Sequence, residues 1–95
     1  MRKVNISHYG IVPGQIVISK AGHDQGKIYA VVKVQADGVW LSDGRIRTLE
    51  RPKFKKYKHI QKTLEVILPV PEPDCQNGLT NVHIFKAIKV YASKL

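Results

Sequence analysis

The chain has 95 residues, which sets the scale at one domain with a small core and leaves little room for a large enzyme cleft. Hydrophobic residues make up 43%, enough for a packed core and too many for a fully disordered chain. Sixteen Lys and Arg against seven Asp and Glu give a net charge of +9, which points to a polyanionic partner, nucleic acid or an anionic membrane surface.

No apolar run approaches the roughly 18–20 residues of a membrane span. Met1-Arg2-Lys3 is basic, but Asn5, Ser7 and His8 interrupt any apolar stretch after it, so no secretory signal is expected. The single cysteine, Cys75, cannot form an internal disulfide, which fits a reducing, cytoplasmic setting.

Residues 1–12, with Val4, Ile6, Ile11 and Val12, form an N-terminal arm or a short edge strand, closed by the turn pair Pro13-Gly14. Gln15 to Ser19 is a short β-branched strand and Ile28 to Val34 a longer one. The polar, Gly-containing loop between them makes the pair a hairpin. Asp37-Gly38 then reads as a two-residue turn leading to a strand at Val39-Trp40-Leu41, with Trp40 expected in the core. Ser42-Asp43-Gly44 repeats the device. Beyond it the alternation in Arg45-Ile46-Arg47-Thr48-Leu49 predicts a fourth strand.

Residues 50–58 are basic and contain Pro52, which makes them an edge or a loop. His59-Ile60-Gln61 supplies a fifth strand, with Thr63–Leu68 a further apolar run. So many short strands joined by tight turns predict a mainly β fold. The expected form is a small SH3-like barrel of about five antiparallel strands spanning residues 13–68. Pro69, Pro71 and Pro73 mark residues 69–79 as an extended connector. Thr80 is a good N-cap. Val82, Phe85, Ile88 and Ala92, with Ile84 and Tyr91 beside them, recur at helical spacing, which predicts a C-terminal helix over 80–95 packed on the barrel.

The charge is unevenly placed. From Arg45 to Lys62 there are eight cations (Arg45, Arg47, Arg51, Lys53, Lys55, Lys56, Lys58 and Lys62) against one acid, Glu50, a local charge of +7. Cations at this density gain by releasing counterions condensed on phosphate backbones. Phe54 and Tyr57 are interleaved with the lysines, where rings can stack on unpaired bases, and His59 can bond a phosphate or a ribose hydroxyl. The plain alternative is a solvated charged edge with Phe54 and Tyr57 covering apolar surface. The loop from Lys20 to Lys27 is a second candidate. Lys20, His23 and Lys27 are donors there, and the alternative is a simple turn in which Asp24 caps its own backbone.

The Gly14–Val34 hairpin resembles the KOW motif, with Gly26 matching the near-obligatory glycine that opens the second strand, followed by basic Lys27 and apolar Ile28. The likeness continues through Asp43-Gly44-Arg45-Ile46-Arg47-Thr48-Leu49-Glu50-Arg51-Pro52-Lys53 to Lys58-His59-Ile60, covering residues 12–62. The chain in this range is similar to KOW-domain RNA-binding proteins of bacteria and to the KOW barrels of archaeal and eukaryotic large-subunit ribosomal proteins. His23 stands where those proteins usually carry arginine. The resemblance implies a noncatalytic RNA-binding protein, associated with rRNA, the ribosome or translation. It also tilts the Lys20–Lys27 loop toward RNA contact.

Catalysis has little support. His8, His23, His59 and His83 are scattered and make no metal-ligand pattern with Cys75; Asp43 is explained by its turn, and no phosphate-binding glycine loop occurs. No cofactor is expected. Two rivals stay open. One is an SH3-like protein-interaction module, with partners reaching the C-terminal helix or the Pro-rich connector. The other is a membrane-surface binder, which would need a basic amphipathic helix where this chain has a proline-containing loop region.

Overall fold

The computed structural model describes residues 10–67 and 79–95. Five strands, β1 (Gln15–Ser19), β2 (Ile28–Val34), β3 (Gly38–Ser42), β4 (Lys53–Lys56) and β5 (Ile60–Val66), form one sheet in the spatial order β4-β3-β2-β1-β5. All four ladders are antiparallel. One helix, α1 (Asn81–Ser93), follows. The mainly β class, the strand number and the C-terminal helix agree with the sequence.

The two edge strands, β4 and β5, are consecutive in the chain, separated only by the 3₁₀ turn Tyr57–His59. In a flat sheet these edges would lie about 19 Å apart, at about 4.8 Å per strand. The peptide steps from Lys56 to Ile60 reach about 14 Å at most. The sheet therefore curls until its edges approach each other at a seam: the Lys20 amide donates to the His59 carbonyl at 2.8 Å, extending the β1–β5 ladder, and from the other edge Lys55 Nζ donates to the Ala21 carbonyl at 2.9 Å. No ladder pairs β4 with β5 among the described residues.

Two apolar clusters lie on the two faces. Val17, Tyr29, Val31, Val39 and Leu41 fill the inside of the curl, joined by Ile11 and by Tyr57 and Ile60 from the seam. Ala30 and Val32 point the other way and meet Leu49, Leu79 and Ile84, with Ile67 and Ile88 at the margin. β2 is thus covered on both faces, which is why it reads as an almost unbroken apolar run. Its register against β3 steps from Val31–Leu41 to Lys33–Trp40, leaving Val32 as an extra residue in a bulge. The β1–β5 ladder is interrupted too. There the Gln15 side-chain amide donates to the Thr63 carbonyl (2.7 Å), and the Thr63 hydroxyl donates to the Ile16 carbonyl (2.6 Å), replacing ladder bonds.

Helix α1 begins where the sequence indicates. Thr80 is extended and its hydroxyl accepts from the His83 amide at 3.1 Å. Ile84 is fully buried against β2 and Leu49, and burial of such a side chain contributes roughly 1.5–3 kcal/mol. The packed face runs through Ile84 and Ile88. Val82, expected on it, is 60% exposed, because two residues before Ile84 it falls about 200° round the helix, on the far side.

Three other expectations are corrected. Arg45–Leu49 is not a strand: Asp43 Oδ1 accepts from the amides of Arg45 (2.9 Å), Ile46 (3.0 Å) and Arg47 (2.9 Å), which folds the backbone into a loop. The fourth strand is Lys53–Lys56, immediately after Pro52. The β2–β3 turn centres on Ala36-Asp37, with the Gln35 amide donating to the Gly38 carbonyl at 2.9 Å, so Gly38 is the first residue of β3. Its lack of a side chain serves close approach: a Cβ there would meet Phe54 Cζ at 2.6 Å and the Lys55 carbonyl oxygen closer still. Trp40 is half-buried outside both clusters. Its indole N–H donates to Gln35 Oε1 at 2.7 Å and its ring packs on Phe54 with centroids 5.2 Å apart. Residues 10–14 form no strand, although Ile11 is buried. The rest of the N-terminal arm and most of the Pro-rich connector lie outside the described residues.

Candidate nucleic-acid interface

The β1–β2 hairpin closes through a bulge at Gly26. Gly26 donates to the Ser19 carbonyl (2.8 Å), while the Ser19 amide donates to the Lys27 carbonyl (2.9 Å), so one residue of β1 opposes two of the returning chain. Gly26 has φ +87°, the left-handed geometry this type of bulge requires. The glycine singled out by the KOW resemblance therefore sets where the second strand starts.

Inside that loop sits Asp24. Its Oδ1 accepts from the Ser19 hydroxyl (2.9 Å) and lies 3.1 Å from Lys55 Nζ. Its Oδ2 accepts from the Tyr29 hydroxyl (2.9 Å) and from Lys53 Nζ (3.0 Å). Lys55 Nζ also donates to the Ala21 carbonyl at 2.9 Å. Burial alone would push this carboxyl upward, but the four donors, Lys53 foremost, hold it well below the ordinary carboxylate range. Burial and the adjacent Asp24 charge push the Tyr29 phenol above its ordinary value.

A second acid, Asp43, organises the loop after β3. Beyond its three backbone donors, its Oδ2 lies 3.2 Å from Lys27 Nζ. Burial opposes ionisation here as well. The Arg45 and Arg47 amides and the Lys27 ammonium outweigh it and hold the carboxyl low. The loop is tied to the helix by Asn81, whose Oδ1 accepts from the Leu49 amide (2.8 Å) and whose Nδ2 donates to Glu50 Oε1 (3.1 Å). That bond from Asn81 favours the Glu50 carboxylate and lowers its pKa.

The fold thus sorts the sequence's candidate residues. Lys20, His23 and the 3₁₀ turn with Lys58 and His59 come to one end of the sheet, joined by the Lys20–His59 and Lys55–Ala21 hydrogen bonds. Lys20, His23, Lys56, Lys58 and Lys62 are exposed, and His59 is half-buried. Lys53 and Lys55 do not face outward with their neighbours. They register with Leu41 and Val39, on the inner side of β4, and end on Asp24. Such inward charges blunt an edge strand against unwanted pairing. Lys27 is engaged by Asp43 and lies 5.5 Å from the Tyr29 ring centroid.

Tyr57 leaves the candidate interface: it is buried in the inner cluster and its hydroxyl donates to the Gln35 carbonyl, so its ring has no open face for a base. Phe54 is half-buried and shared with Trp40. Arg45, Arg47 and Arg51 lie on the 43–52 loop, and Arg45 turns to the helix, 5.7 Å from the Phe85 ring centroid. Lys89 lies 5.6 Å from the same ring. Phe85 and Lys89 were outside the sequence's candidate set. Their placement depends on the 43–52 loop meeting α1, and no local spacing encodes that.

Among the described residues, no group of three or more His, Cys, Asp and Glu side chains is placed to hold a metal ion. None of their helices is long and apolar enough to cross a membrane. Neither the protein-family models nor the curated proteins compared with this chain contain a match to it.

Proposed function

We propose that the chain is a noncatalytic RNA-binding protein of the cytoplasm that docks on structured RNA, rRNA above all, in association with the ribosome or translation. The observation that carries the reading is the joining of the β1–β2 loop to the β4–β5 turn at the seam of the curled sheet. Lys20 and His23 are thereby set beside Lys58 and His59, with Lys56 just before the turn. Asp24, the acid of the β1–β2 loop, is already consumed by Lys53 and Lys55. The outward cations are left to meet phosphate. Lys53 and Lys55 act beneath them, holding the loop in place.

Binding of this kind is driven by counterion release and reads backbone shape more than base identity. With about five phosphates engaged, log K against log salt falls with a slope of roughly −3.5 to −4.5. A salt titration of the full chain against a structured rRNA fragment tests this. A flat dependence overturns it, and crosslinking in cells with reads gathered at one rRNA position would identify the target.

A second reading, an SH3-like protein-interaction module, is favoured by the groove beside Trp40. Trp40, Pro52, Leu49 and Gln35 line a hollow of about 270 Å³. An aromatic and a proline around a shallow groove suit an extended peptide. A partner retained after RNase treatment would support it.

A further inference from the structure

The cations at the seam do not account for the opposite side of the hairpin, where the 43–52 loop meets α1. A groove of about 320 Å³ opens there, with Ile28, Ile46, Phe85 and Ile88 on its floor and Lys27 and Arg45 on its rim. Ile46 is 72% exposed although it is a large aliphatic side chain in the middle of a basic loop. Arg45 and Lys89 both stand over the Phe85 ring, at 5.7 and 5.6 Å from its centroid. No acid among the described residues pairs with either of them. The one carboxylate in the groove, Asp43, is saturated, with Oδ1 on three backbone amides and Oδ2 on Lys27.

An apolar floor with two unneutralised cations held on one ring is complementary to a ligand that is flat and apolar in the middle and anionic at both ends. We infer that this groove holds an unpaired nucleotide of a single-stranded RNA segment. The base lies against Ile28, Ile46 and Ile88, and the phosphates on either side meet Arg45 and Lys89 where they stand on the Phe85 ring. A duplex cannot supply such a base, and a single-stranded segment beside a structured element can. The two cation–π contacts hold the cations in place before the RNA arrives, so less side-chain freedom is lost on binding.

This inference rests on the RNA-binding reading and adds base contact to it, so the test separates the two. Fluorescence anisotropy would compare the full chain's affinity for a short uridine oligomer, the abasic oligomer of equal length, and a perfectly paired RNA duplex. Ile46→Ser, at an exposed loop position that touches neither cation, is expected to weaken the uridine oligomer about tenfold, the scale of one apolar side chain no longer covered by a base. The abasic oligomer and the duplex should change less than about twofold on the same scale. Lys89→Ala, at an exposed helical position where alanine is well tolerated, should flatten the salt slope for single strands by about 0.7, one phosphate's share.

Equal losses on the uridine and abasic oligomers, or unchanged uridine affinity in Ile46→Ser, overturn the base site. The general reading still stands in that case if Lys56→Glu with Lys58→Glu lowers duplex affinity. Wild-type protein that binds none of the three RNAs at low salt overturns both.

Discussion

Lys55 Nζ lies 3.1 Å from Asp24 Oδ1, and the same carboxylate's other oxygen lies 3.0 Å from Lys53 Nζ. Two cations of the most basic stretch are therefore internal struts between β4 and the β1–β2 loop. The pairing changes what a charge-reversal experiment means. Lys53 and Lys55 look identical to Lys56 and Lys58 in composition, but strand alternation and the 3₁₀ turn give the two pairs opposite roles.

Reversing Lys53 and Lys55 to glutamate places like charges against Asp24 inside the seam. The double variant is expected to lose about 3 kcal/mol or more of stability, the scale for breaking a partly buried pair. Its RNA affinity should fall only as the folded fraction falls. Reversing Lys56 and Lys58, both exposed, should change stability by less than about 0.5 kcal/mol. It should weaken RNA binding directly and flatten its salt slope. Urea melts with RNA titrations on both variants distinguish the roles, and equal stability for the two would contradict the strut assignment.

The pH dependence of stability follows from the same carboxylates. Asp24 and Asp43 have folded pKa values below their ordinary one, so their contribution is fully present above about pH 4 to 5 and is lost as pH falls through the folded values. The Tyr29 phenol is shifted the opposite way. Its contribution is present below about pH 10 and is lost as pH rises further. The urea midpoint should therefore plateau between about pH 5 and 9 and fall on both sides. Asp24→Asn should lower the plateau by about 2 kcal/mol, the scale of lost charge-assisted hydrogen bonds, and make the acid limb shallower. An acid limb unchanged in that variant would remove Asp24 from its cause.

Gly26 and Gly38 separate two reasons for glycine. A Cβ on Gly26 would meet nothing within 4 Å, but φ is +87°, so alanine there should cost only backbone strain, about 1–2 kcal/mol, with asparagine milder. Alanine at Gly38 would drive its methyl into Phe54 and the Lys55 carbonyl, forcing β4 off β3. Lys53 and Lys55 would then lose their registration on Asp24. Gly38→Ala should be the more damaging change. It should also expose β4 amides to hydrogen exchange while leaving the β1–β2 hairpin protected, and the reverse pattern would refute the distinction.

Both strands of the opening hairpin were readable to the residue, because β-branched runs bounded by glycine report their own limits: Gln15–Ser19 and Ile28–Val34 form as expected. Thr80 likewise marks the helix start through its own hydroxyl. The misread segment, Arg45–Leu49, alternates like a strand, yet one upstream side chain, Asp43, captures three of its amides, and local capping prevails over a pattern of period two. The candidate site was legible as charge and illegible as geometry. Whether a lysine faces RNA or Asp24 depends on the register of β4 against β3 and on the curl of the sheet, and both are set by residues distant in sequence.

Tyr57 tests that geometry most directly. As an interface ring it would stack on a base, and its loss would cost affinity with little change in stability. Its place in the inner cluster beside Ile60, with its hydroxyl on the Gln35 carbonyl, reverses the expectation. Tyr57→Leu should destabilise the fold by about 2–4 kcal/mol, combining a partly filled cavity with a lost hydrogen bond. For a domain of this size that is a fall in melting temperature of roughly 8–32 °C at about 4–8 °C per kcal/mol. Below the transition, RNA affinity should match wild type. Tyr57→Phe should lose only the hydrogen bond, about 0.5–1.5 kcal/mol, and keep full affinity. Lower affinity in Tyr57→Leu protein shown to be folded by circular dichroism would return this ring to the interface.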